Sequence, residues 1–113
     1  MNLDNVVQAI NAASDYKKFV IFGRETIASI ASSIGFTKGK YPIAPDMKAY
    51  ALIQPVGGDC RFTEDGTTPT GDIGLRLTED STIEIWGKDS LEMFRCIDDT
   101  GTAKLEVVYY VEA

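Results

Sequence analysis

The residues best equipped for chemistry in this chain are three acidic pairs, Glu64-Asp65, Glu79-Asp80 and Asp98-Asp99, two arginines, Arg61 and Arg95, and two cysteines, Cys60 and Cys96. Paired carboxylates in loops are the donor type that calcium takes, but none of the three falls in the D-x-[DN]-x-[DN]-G spacing that wraps the ion. Asp in such places more often bonds its own backbone two residues on, which makes a turn. A two-carboxylate glycosidase needs acids facing each other across a sugar cleft, and a short, loop-poor chain offers little wall for one. There is no histidine. That removes Ser-His-Asp and Cys-His nucleophilic machinery and the common imidazole-based zinc, copper and iron sites. No catalytic residue, metal ligand or cofactor contact is assigned.

The glycines do not form a phosphate cradle either. Gly57-Gly58, Gly71 and Gly74 lie in no Gly-x-Gly-x-x-Gly or Gly-Lys-Ser/Thr pattern and precede no helix, so they read as turn glycines. Cys60 and Cys96 each sit beside an arginine in an apolar, strand-like setting and read as two buried thiols rather than a disulfide. Arg61 and Arg95 fall opposite the core positions of their strands. Each could clamp a carboxylate, with Asp65 the partner in reach of Arg61, or each could serve an interface. Trp86 and Tyr110 have the same standing, as exposed anchors or as rings packed under the N-terminal segment.

The elements that must position these groups follow from size and pattern. A chain of 113 residues is one domain with one core, and 44% hydrophobic against 25% charged residues is ordinary globular composition. Eleven basic and seventeen acidic residues give a net charge of −6, with the acids spread along the chain, which argues against a nucleic-acid partner. No apolar run approaches the ~20 residues of a membrane helix, and the N-terminus lacks the pattern of a secretory signal. The expected product is soluble, made in the cytoplasm, with no membrane partner.

Residues 3–13 place Val6, Val7, Ile10 and Ala13 near helical spacing after Asp4, which gives a short helix or an arm. The run KKFVIF at 17–22 reads as a strand buried on both sides or covered by the N-terminal segment. In residues 26–37, Ile27, Ile30, Ala31 and Ile34 fit a helix stopped by Gly35, but the Ser/Thr/Ile-rich composition counts against a helix, and the family resemblance given below implies a strand over 30–37. Residues 38–47 carry Gly39, Pro42 and Pro45 and read as a loop. Residues 48–55 alternate as a strand, and Val56-Gly57-Gly58-Asp59 is expected to fold it into a hairpin with residues 60–63.

Beyond that hairpin the chain reaches a corner, CRFTEDGTTPT at 60–70. Asp65-Gly66 makes a tight turn, Pro69 cannot extend a ladder, and Leu75 and Leu77 are expected to pin the following excursion to the core. Residues 82–86 and 94–97 read as strands around one short helical turn. Asp98 to Gly101 is a turn, and 103–111 is a long final strand with Leu105, Val107, Tyr109 and Val111 on one face. Six or seven short strands with regular turns predict an all-β, antiparallel sandwich or barrel-like domain. Residues 1–25 form its N-terminal arm or helix plus a strand, and 26–113 the sandwich. The edges expected to recruit other chains are 17–22 and 103–111.

With these elements in place the chain resembles a family of small phage and prophage virion proteins. The matching residues are Ile34-Gly35-Phe36-Thr37, Ala51-Leu52-Ile53, Arg61-Phe62-Thr63 with Asp65-Gly66-Thr67-Thr68-Pro69-Thr70, Gly74 with Leu77, Ile83 with Ile85, Phe94-Arg95 with Ile97, and Leu105, Val107, Tyr109 and Tyr110. They span about residues 30 to 110. Cys60 and Cys96 depart from the aliphatic or alanine residues usual there. The resemblance implies a non-enzymatic head-decoration or head/tail accessory protein, carried on the virion. Its structural corner is built from Arg61, Phe62, Asp65, Gly66, Thr67, Pro69, Thr70 and Gly74. Its partners would be capsid or tail proteins and further copies of itself. The corner also resembles, more weakly, that of Ig-like accessory modules of carbohydrate-active enzymes, which implies sugar binding instead.

Overall fold

The computed structural model describes residues 19–28, 30–42 and 48–113; the helix or arm expected at 3–13 and the second half of the 38–47 loop lie outside these residues. Among the described residues there are seven strands, β1 (Phe19–Ile27), β2 (Ala49–Val56), β3 (Cys60–Thr63), β4 (Leu75–Leu77), β5 (Ile83–Trp86), β6 (Arg95–Asp98) and β7 (Lys104–Glu112), with a six-residue helix, α1 (Lys88–Met93), between β5 and β6. They form a four-stranded sheet in the order β1-β7-β2-β5 and a three-stranded sheet in the order β4-β3-β6, and every strand pairing is antiparallel. The all-β, sandwich-like expectation is met.

One core holds the two sheets together, and period-2 alternation explains its composition. Ala49, Ala51 and Ile53 of β2, Ile85 of β5 and Leu105, Val107 and Tyr109 of β7 come from the first sheet; Cys60, Phe62, Leu77 and Cys96 come from the second. Phe94 is fully buried between them and stacks on Phe36 with ring centroids 4.1 Å apart. The Tyr109 hydroxyl donates to Glu25, which also accepts from the Thr37 hydroxyl at 2.6 Å, so β1, β7 and the 36–41 loop are tied at one carboxylate. Burial and that bond raise the Tyr109 pKa.

The expected hairpin between residues 48–55 and 60–63 does not form. β2 has β7 on one edge and β5 on the other, and β3 belongs to the opposite sheet. The alternation was read correctly, but it also fits a strand that hands the chain across the core. Gly57, at φ 84°, and Gly58 make that handover. A side chain at Gly58 would meet the Thr100 hydroxyl at 2.1 Å, so the chain bends where only glycine fits.

Two other segments differ from expectation. Residues 30–37 form neither strand nor helix: they touch β6 at a bridge between Ile34 and Cys96 and at a bond from the Asp98 amide to the Ile30 carbonyl, 2.7 Å. Gly35 lies so close to the Phe94 carbonyl that a Cβ would stand 2.8 Å from it, which explains a crossing rather than a ladder. The final strand, expected as an edge, is central, whereas the strand begun in KKFVIF is indeed an edge and continues past Gly23 through a register shift to Ile27. It therefore crosses residues 25 and 26 without a break.

Candidate interaction surfaces

The corner after β3 is held by bonds internal to it. Gly66 takes φ 85°, the Asp65 carboxylate accepts from the Thr67 amide at 3.0 Å, and the Thr63 hydroxyl donates to the Thr67 carbonyl. The Thr67 amide bond, and then its hydroxyl, hold the Asp65 pKa below the usual carboxylate value. Pro69 is buried, and the Thr70 hydroxyl accepts from the amides of Asp72 and Ile73, both at 3.1 Å, to make the next turn. Gly74, at φ 112°, passes so near β3 that a Cβ would lie 3.0 Å from the Phe62 carbonyl. All the residues expected to build the corner are therefore in it, except that Arg61 has a different partner.

Arg61 does not reach Asp65. Its guanidinium bonds Asp99 at 3.3 Å and the Gly74 carbonyl at 3.1 Å, because alternation points it to the outer side of the second sheet, where β6 ends beside it. Arg76 on β4 bridges Asp59 at 2.5 Å and Asp99 at 3.3 Å. Asp59 also accepts from the Glu79 amide at 2.8 Å, and that bond, then the one from Arg76, lowers its pKa. Asp98 accepts from the amides of Thr100 and Ala103; burial pushes its pKa up, and the backbone bonds together more than offset that. The acidic pairs thus hold turns and two arginines. Among the described residues no group of three or more metal-binding side chains converges.

Cys60 and Cys96 are buried free thiols, pushed up by burial to about 11 and about 12 respectively. Cys60 pairs with Asp98 and Cys96 with Phe62, so the two cysteines sit on diagonal rather than facing positions of neighbouring strands, and both thiols are free.

Two surfaces expose large apolar side chains. Beside the corner, an open hollow of about 520 Å³ is lined by Phe62, Thr63, Glu64, Asp65, Thr67, Ile73, Gly74 and Leu75. Leu77 is buried as expected, but Leu75 is 68% exposed and anchors nothing; it stands on β4, an edge strand, with Ile73 also exposed.

The other surface is the outer face of the four-stranded sheet. Trp86 and Tyr110 meet there on either side of Tyr50, with ring centroids 4.3 and 4.7 Å away and both stacked, while Phe19 turns its edge to Tyr50 and Trp86. Trp86 is 46% exposed and its indole donates to Glu84 at 2.9 Å. Of the four expected interface residues, Trp86 and Tyr110 are brought together, Arg61 is bound into the corner, and Arg95 is exposed on the second sheet, paired in register with Thr63 at the start of the corner. Val20, Ile21 and Phe22 were expected to be covered and are 47%, 54% and 46% exposed. An unbroken apolar run signals a strand but carries no sign of whether anything covers it.

No family model matches the chain, and no curated protein matches its sequence.

Proposed function

We propose that this chain is a structural accessory protein of a phage or prophage particle, acting through protein contacts and without chemistry of its own. The observation that carries the reading is Leu75 and Ile73 held exposed at an edge strand beside an acid-rimmed hollow, on a corner whose turns are fixed by internal hydrogen bonds. Exposed apolar side chains on a rigid support cost little ordering on binding, which suits a contact repeated over many copies. The resemblance of the corner sequence to virion proteins supports the same reading.

The accessory-module alternative needs open aromatic faces on which a sugar ring can lie. In the Trp86, Tyr50 and Tyr110 stack, both faces of the central ring are covered by its neighbours, which favours a protein contact over a sugar platform. Co-sedimentation with particles of the phage or prophage that encodes the chain tests the proposal. The protein is expected to pellet with intact particles to a saturating level, and Leu75→Ser to weaken that binding. A protein that stays in the supernatant and is retained on insoluble polysaccharide would overturn it in favour of the accessory module.

A further inference from the structure

The outer face of the four-stranded sheet is self-complementary, and the geometry points to a two-fold dimer in which two copies pack these faces together with the axis parallel to the strands. The strand order β1-β7-β2-β5 and the register define rows across the sheet. A two-fold axis parallel to the strands lays each row on itself reversed, so β1 meets the partner's β5 and β7 meets the partner's β2.

Consider the row Arg24, Val108, Leu52, Glu84. Reversal sets Arg24 over the second copy's Glu84, twice per dimer, with Val108 over Leu52 between them. Within one copy Arg24 and Glu84 stand on opposite edges, three strand spacings or about 14 Å apart, and cannot pair with each other. Neither makes an ion pair among the described residues, although Glu84 accepts the Trp86 indole.

The neighbouring rows obey the same rule. Ile21 is placed over Trp86, both apolar and each about half-exposed. In the next row outward, Glu112 lies over Lys48, again of opposite charge. These rows therefore match apolar with apolar and cation with anion. The reversed-row match, rather than the exposure alone, selects a second copy as the occupant.

Strands of nine, nine, eight and four residues, at about 3.4 Å per residue and about 4.8 Å apart, define the face. They cover roughly 500 Å² in plan, below the ~800 Å² per partner of a standard interface, so the dimer is weak and depends on concentration. It goes beyond the particle-binding reading, since it forms in solution without a particle.

Charge exchange tests it. Arg24→Glu and Glu84→Arg each place like charges opposite one another at both contacts and are expected to weaken self-association by about tenfold or more in sedimentation equilibrium, with melting temperature little changed. An equimolar mixture of the two variants restores both ion pairs in the heterodimer and is expected to associate as tightly as the wild type. Wild-type protein that stays monomeric at millimolar concentration overturns the proposal, as do single variants that dimerise undiminished or a mixture that does not recover. Dimerisation that appears only when residues 1–18 are removed overturns it in favour of those residues as the occupant of the face.

Discussion

The corner of the second sheet and the outer face of the first use their polar residues in opposite ways. At the corner, Asp59, Arg61, Asp65, Arg76, Asp98 and Asp99 bond to one another or to nearby backbone, so the charge density there is absorbed in holding shape. On the outer face, Arg24 finds no charged partner among the described residues, Glu84 is engaged only by an indole, and Ile21 and Trp86 are open to solvent. Arg61, Asp65, Asp98 and Asp99, which look functional by type, bond within and beside the corner, while Arg24 and Ile21 stand exposed on the outer face. The difference yields a rule for mutation: corner changes should move stability, outer-face changes should move association.

The largest effect is expected where the corner is seated. Phe94 stacks on Phe36 and lies 6.1 Å from Phe62, fully buried, so Phe94→Ala should destabilise by about 3–5 kcal/mol in urea or thermal denaturation. Gly66→Val and Gly74→Ala come next. Both positions hold positive φ, and Gly74 is also pressed against Phe62, so losses of about 1–3 kcal/mol each are expected, the first checked by its denaturation midpoint against wild type. An unchanged midpoint in either would detach the corner from the stability of the domain.

An acid titration sharpens the comparison further. Asp59, Asp65 and Asp98 all have folded pKa values below the ordinary carboxylate value. Groups depressed in the folded state stabilise it above their unfolded pKa and lose that contribution as pH falls through the folded one, so melting temperature should decline below about pH 4. Asp59→Asn should flatten that decline. The smallest stability change is expected from Leu75→Ser, under about 1 kcal/mol, because that side chain is 68% exposed. Its effect belongs in binding assays.

How much of this was legible in the sequence depends on the kind of information each element carries. Strands β2, β3, β5 and β7 were visible because alternation is local: Ala49, Ala51 and Ile53 inward, Leu105, Val107 and Tyr109 inward. The corner was equally local, since Gly66, Pro69 and the Asp65 side chain act within a few residues. Pairing was not. Which strand lies beside β2 depends on competition between distant partners, and the Gly57-Gly58 bend serves a hairpin and a crossover alike. Arg61 shows the same limit, because Asp65 is near it in sequence while Asp99 is brought near only by the β3-β6 register. The matched rows of the outer face could not be read before the strand order was known.

Trp86, the single tryptophan of the chain, reports directly on whether the outer face is a contact surface. Acrylamide quenching of its fluorescence should be measured along a dilution series of the wild-type protein. At low concentration the half-exposed indole should be quenched readily. As the protein concentrates, quenching should fall and emission should move to the blue, in step with the mass gained in sedimentation. Quenching that stays constant while the mass doubles would place the contact elsewhere and contradict the account.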